Sequence, residues 1–351
     1  MKKILFLLFA GLLALAACND NGDEPGKSKS PRILLDVFTG KQYIIYDNDG
    51  KLVYECPEGY GILHMAAEGK NWYGVLLSNN DSVYRVLKNG KLVFTTPYEI
   101  KSLCVENGDI YTLQWHKSPD YQYTGYYIAR IFKNQTQLYE YDSESCSIGE
   151  LCVDHGDLIA PAWQKGKGDK PIYWMNGKFY QLPSYEEYLW VKYIMKQGND
   201  TLAVLQNGYT GGGTYPNYWW MNGEAHQVLN NADLSYARAM LAGGVSYIAT
   251  TRRNTFVLIV NGQEHTTATL SNNQVRKMQR LGNDVYTLTR GELYFPPNGS
   301  TCIFKGAEPV EINSKVFVPN VKYQYGATYG QGGDTVNLAT FSAIDFAVLN
   351  R

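Results

Sequence analysis

Five histidines, His64, His116, His155, His226 and His265, are the side chains with which this chain could do acid–base or metal chemistry near neutral pH. None stands at a metal-ligand spacing from a cysteine or carboxylate, and there is no CxxC pair. No metal and no cofactor is expected. His155 lies in an Asp-His-Gly turn, and His226 and His265 belong to outer strands. His64, on an inner strand, and His116, read into a long loop, remain as weak candidates for a general base. Glu186, Glu187, Asp120 and Asp233 share their face, but glycoside hydrolysis needs a carboxylate separation that spacing does not define. Asp200 and Asp284 follow glycine–asparagine turns, where Asp caps a turn for local reasons.

Recognition chemistry is better supplied. Four long segments, 115–125, 163–171, 206–217 and 290–301, interrupt otherwise short connections and carry Trp115, Tyr121, Tyr123, Trp163, Tyr209, Tyr215, Tyr294 and Phe295. Rigid rings with a polar tip give large contact area at low entropic cost, and flat rings suit the apolar faces of sugars. Packing of the same rings onto the scaffold is the competing reading. Cations gather at the starts of the inner strands: Lys101, Lys192, Arg238, Arg276 with Lys277, and Lys322, against one acid, Glu150. Converging there, they would focus a positive field suited to an anionic ligand such as an acidic saccharide. Solvated lysines that blunt strand ends are the alternative.

The elements that must hold these residues are announced by turns. Asp49-Gly50, Asn89-Gly90, Asn134-Gln135, Asn176-Gly177, Asn222-Gly223, Asn261-Gly262 and Lys305-Gly306 recur every 39 to 46 residues. A second series, Gly69, Gly108, Gly156, Gly198, Gly243 and Gly282, interleaves with them. Two turns per period mean four strands per period, the sequence signature of a β-propeller blade. Runs such as Phe256-Val257-Leu258-Ile259-Val260 are apolar throughout, as burial on both faces requires. The expected fold is all-β, a seven-bladed propeller over 33–351. One blade is closed from both termini, by residues near 43–55, with no strand read before them, and residues near 321–341. Six blades is the alternative if the terminal strands pair differently. No Gly-His…Trp-Asp pair, kelch double glycine with its partner aromatics, or sialidase box is present.

Charged residues make up 19% of the chain and the formal net charge is −1, so nothing supplies the phosphate neutralisation that nucleic acid needs. The N-terminus runs Met1-Lys2-Lys3 into an apolar stretch ending Leu15-Ala16-Ala17-Cys18. That stretch has the build of a signal peptide, too short for a permanent span. Leu15-Ala16-Ala17-Cys18 resembles the lipobox of bacterial lipoproteins. The resemblance implies a signal peptide over 1–17, lipidation of Cys18, a flexible tether over 18–32, and a membrane partner reached through the lipid anchor. It places the protein in the cell envelope, at the outer membrane, and the acidic residues Asp20, Asp23 and Glu24 hint at the cell surface. Beyond the anchor the chain resembles bacterial propeller lipoproteins in general. Five cysteines follow Cys18; buried free thiols are expected, with a Cys104–Cys152 bridge the conceivable exception.

The leading functional expectation is binding of an extracellular ligand, a glycan, by Trp115, Tyr121, Trp163, Tyr215 and Tyr294, with Lys192, Arg238 and Arg276 beneath them. The alternatives are a polysaccharide lyase or glycoside hydrolase working at a basic axial mouth, and a scaffold for another envelope protein.

Overall fold

The computed structural model describes residues 30–350 except 39–41, 79–80, 168–169, 184–188, 208–216, 229–232, 253–254, 270–272, 292–300, 311, 313–314, 319–333 and 338–342. Arg32–Asn350 forms one unit. It is a seven-bladed β-propeller, each blade an antiparallel sheet that meanders outward from the axis. Blades 1 to 6 open with inner strands Tyr60–Glu68, Glu99–Glu106, Cys146–Ile148 continued by Cys152–Asp154, Leu189–Gln197, Asp233–Ala242 and Asn273–Leu281. The helix Tyr121–Thr124 lies in the second-to-third-strand connection of blade 2.

Blade 7 closes the ring by joining the two ends of the chain, but with different strands from those expected. Ala343–Leu349 is its inner strand and pairs with Arg32–Phe38, which continues into Tyr43–Asp47 and Leu52–Glu55. The N-terminal hairpin therefore does have a strand before it. Asp334–Asn337 pairs instead with Lys315–Val318 in a separate two-stranded sheet. The reason is hydrophobic. Ile33, Leu34 and Leu35 on one strand and Phe346, Ala347, Val348 and Leu349 on the other are all buried, the continuous apolar run that a sheet covered on both faces needs.

The core lies in the seams between blades. Alternate residues of one strand serve opposite seams: Phe256 and Leu258 pack toward blade 6 with Val285 and Phe304, and Val257 and Ile259 pack toward blade 4 with Leu202 and Val204. Trp174, fully buried between blades 2 and 3, donates its indole N–H to Tyr141 Oη at 2.8 Å. Such burial on both faces explains the all-apolar third strands.

The repeated asparagine has a specific task. Asn176 in the outer turn of blade 3 donates its backbone N–H to Leu158 O (3.0 Å), accepts the Leu158 N–H on Oδ1 (2.8 Å) and donates Nδ2 to Asp157 Oδ1 (2.7 Å). Asn89, Asn134 and Asn222 repeat all three contacts on Trp72 and Asn71, on Ile110 and Asp109, and on Thr201 and Asp200. The side chain thus splices the outer hairpin to the start of the second strand, while the residue itself holds the positive φ of the hairpin turn (46° at Asn176). Asp200 was expected to cap its own turn; it holds Asn222 instead. In blade 6, where Lys305 replaces the asparagine, Asp284 holds the Lys305 ammonium at 2.8 Å.

Candidate functional site

Antiparallel pairing puts the start of each inner strand and the end of each second strand at one rim of the propeller. Every inner strand slips register there. In blades 1, 2, 4, 6 and 7 the slip falls at the same step, after the fifth residue of the second strand, with Leu63, Lys101, Lys192, Arg276 and Ile344 as the extra residues. In blade 3 it falls within Gly149–Leu151, and in blade 5 before Arg238. A bulge twists a strand and re-aims its side chains. Repeated around the axis, it divides the rim from the tunnel below.

Two rungs to the rim side of the bulge, three consecutive blades carry tryptophan. The pairs are Glu99↔Trp115, Ser147↔Trp163 and Trp190↔Gln206. Trp163 and Trp190 are 41% and 50% exposed. Trp115 is half-buried, covered by the Lys101 ammonium 4.4 Å from its ring and by Tyr127 at 5.1 Å. Tyr121, in the short helix, shares a 2.7 Å hydroxyl–hydroxyl hydrogen bond with Tyr127, and Lys117 stands 4.9 Å over its ring. Lys117, Tyr121 and Gln122 line a surface cavity of 500 Å³ at the same rim. Trp190 escaped sequence reasoning because it stands at the start of the inner strand rather than in a long loop. Its signal was an aromatic just ahead of the bulge, as at Tyr98 in blade 2. Tyr215 and Tyr294 lie outside the described residues, as do Cys18, Tyr209, Phe295 and Lys322.

Below the bulge, the fifth residue from the end of each inner strand forms a polar belt with one member per blade: His64, Ser102, Glu150, Tyr193, Arg238, Lys277 and Asp345. Contacts run along the belt and cross every seam. His64 Nε2 hydrogen-bonds Ile100 O (3.1 Å), Ser102 Oγ accepts the Leu151 N–H (2.9 Å), and Tyr193 donates its hydroxyl to Glu150 (3.1 Å). Arg238 covers the Tyr193 ring at 4.9 Å and donates Nε to Arg276 O at 3.0 Å. Lys277 donates to Asp345 Oδ1 (2.7 Å), Phe346 O (3.2 Å) and Met65 O, and Asp345 Oδ2 accepts the Met65 N–H (2.6 Å).

This belt corrects the picture of a mouth with cations set against the single acid Glu150. Arg238 and Lys277 are matched by Glu150 and Asp345, an acid that lies beyond the expected C-terminal strand. Lys192 and Arg276 are half-buried at the bulge, and Lys101 is paired with Glu99 at 2.6 Å.

The two histidines do not form a catalytic pair. Burial first, then Lys277, holds His64 below its ordinary pKa, against the opposing pull of Asp345. His116 belongs to the second strand of blade 2, not to a loop, and is buried. It stacks on Tyr98 at 3.4 Å, and its Nδ1 is 2.7 Å from Arg130. Burial and the Arg130 charge push it down to about 4. Neither is hydrogen-bonded to a carboxylate that would orient it as a base. Among the described residues no three His, Cys, Asp or Glu side chains gather around a common point.

Comparison with known proteins speaks to the fold alone. No protein-family model matches the chain, and no curated protein does. Among solved structures, the β-propeller domain of the trilobed protease from Pyrococcus furiosus is similar at TM-score 0.50 and 12% identity, over 78% of this chain and 87% of that one. That domain is described as having an open velcro topology, whereas here the first strand pairs with the last. Pyrococcus horikoshii acylaminoacyl peptidase is similar at TM-score 0.52 and 11% identity, over 86% of this chain. The chain spans 58% of that peptidase. These likenesses support the propeller and carry no activity across.

Proposed function

We propose that this protein is a lipid-anchored envelope propeller that binds an extracellular glycan on its rim. The carrying observation is the tryptophan rung: Trp115, Trp163 and Trp190 occupy one register in three successive blades, two of them broadly exposed. A rigid scaffold pays for half-exposed rings in lost burial, and rings set at blade-to-blade spacing offer successive stacking platforms for an extended chain of sugars. The paired charges of the belt favour a ligand held by stacking over one captured by charge. The Leu15-Ala16-Ala17-Cys18 motif supports the anchor and the envelope location.

A glycan array followed by calorimetric titration tests the site. Trp163→Ala and Trp190→Ala should each weaken the selected glycan by about 1–2 kcal/mol, roughly 5- to 30-fold, with little change in melting temperature. Affinity that falls steeply with added salt would mark an acidic saccharide. A glycan bound equally well by both variants would refute the rim site. Cys18→Ala should release a soluble, folded propeller, and fatty-acid labelling of that variant would refute the anchor.

A further inference from the structure

The charges of the belt balance in number, but of these four groups only Lys277 and Asp345 are in contact with each other. Arg238 and Glu150 meet instead through Tyr193. The Arg238 guanidinium lies 4.9 Å over the Tyr193 ring, and the Tyr193 hydroxyl donates to Glu150 Oε2 at 3.1 Å. Arg238 directs Nε to Arg276 O and Nη1 to Ala237 O, each at 3.0 Å. Its Nη2 and the second oxygen of Glu150 are uncommitted, and among the described residues neither side chain has an ion-pair partner, each other included. Both line one axial cavity of 270 Å³, with Lys277 and Arg280 also in its walls. Arg280 of blade 6 reaches Asp154 of blade 3, on the other side of the axis, at 3.9 Å. Both residues stand where their inner strands end away from the rim, so the contact obstructs the tunnel there and the cavity is approached from the rim.

We propose that this cavity binds a single α-amino acid, with Arg238 taking its carboxylate and Glu150 its ammonium group. The site is separate from the tryptophan rung and does not rest on a glycan being bound there. A guanidinium with open N–H groups offers a carboxylate charge-assisted hydrogen bonds, and the free oxygen of Glu150 offers the same to an ammonium N–H.

Ligands of a single charge fit less well. An anion would face Glu150, and a cation would face Arg238, Lys277 and Arg280. A zwitterion meets both uncommitted groups at once and leaves neither unpaired when water is expelled. A quaternary ammonium has no N–H for Glu150 and would need an open ring face. Tyr193 is the one aromatic side chain among the described lining residues, and Arg238 already covers it. The volume, just under the range of pockets for drug-sized ligands, suits one small molecule and not a length of sugar chain.

The test is calorimetric titration of the full-length protein with each of the common α-amino acids. At least one should bind, with one molecule per chain. For that amino acid, the analogue lacking the ammonium group and the analogue lacking the carboxylate should each bind more weakly by at least about tenfold. Arg238→Gln and Glu150→Gln should each lower its affinity by at least about tenfold as well, while Lys165→Ala, far from the axis, leaves it unchanged. Melting curves of the variants without ligand confirm that each is folded, and the two analogues probe both charges on the wild type whatever the variants do. Three results would each overturn the proposal: no amino acid bound by the wild type, an analogue bound as tightly as its parent, or full affinity in the folded Arg238→Gln or Glu150→Gln variant.

Discussion

Replacing Lys277 by methionine should open the seam that closes the ring. Lys277 stands in blade 6, yet its ammonium holds Asp345 and Phe346 O of blade 7 and Met65 O of blade 1. Its side chain is 24% exposed and that of Asp345 11%. Removing one partner of a fully buried pair costs about 3–5 kcal/mol, because the other charge is left uncompensated. Here the residual exposure reduces that cost, and Asp345 keeps the N–H groups of Met65 and Phe346 (2.6 and 2.7 Å). The two carbonyls that lose their donor add to it. The balance is about 2–4 kcal/mol, or a fall in melting temperature of about 4–8 °C for a domain of this size. Calorimetry measures the fall, and hydrogen exchange should speed up first along Ala343–Leu349. Lys277→Met/Asp345→Leu removes both charges and should cost less than the sum of the single changes by at least about 1 kcal/mol. Lys165→Ala, breaking an exposed pair with Glu144, is the control and should change stability by less than about 0.5 kcal/mol. A Lys277→Met protein that melts with the wild type, or strictly additive changes, would refute the idea that the belt locks the ring.

Three further outcomes follow from the seams and splices. Trp174→Ala should cost about 3–5 kcal/mol by emptying the space between blades 2 and 3, while Tyr141→Phe, which only orphans the indole N–H, should cost about 1–2 kcal/mol; chemical denaturation ranks them, and equal effects would contradict the packing argument. Asn176→Ala should cost about 1–3 kcal/mol through lost splicing bonds, and Gly177→Ala should also destabilise, since φ there is +90° and a Cβ would approach Tyr139 Cε1 to 2.8 Å. His116 titrates at about 4 in the folded protein against an ordinary 6.5, so the unfolded chain binds the proton first. Stability should therefore decline as pH falls from about 6.5 toward 4, and His116→Phe, which keeps the stack on Tyr98, should flatten the decline; melting curves across that range check it.

Much of this architecture was legible in the chain itself. Turn dipeptides every 39 to 46 residues specify two hairpins per repeat because only residues tolerant of positive φ fit there, a local property independent of the rest of the fold. All-apolar third strands announced burial on both faces, and the long loops that Trp115 and Trp163 open in the sequence assign them to the rim, although both lie near the ends of second strands. The closing strand could not be chosen that way. The stretch 335–341 (Thr-Val-Asn-Leu-Ala-Thr-Phe) reads as a strand as readily as Ala343–Leu349 does, and only the seams against blades 6 and 1 decide which one the first strand accepts. The bulges were not read from the sequence either: one extra residue shifts the two-residue alternation by one, a change that short strands of mixed polar and apolar residues do not display clearly. Yet the bulge sets the register of everything on the axis. It aligns Trp190 with Trp115 and Trp163 and sets Lys277 against Asp345, which lies far from it in sequence. Local conformational preference wrote the blades; closure around an axis, which sums contacts across all seven seams, decided what faces the tunnel and what faces the rim.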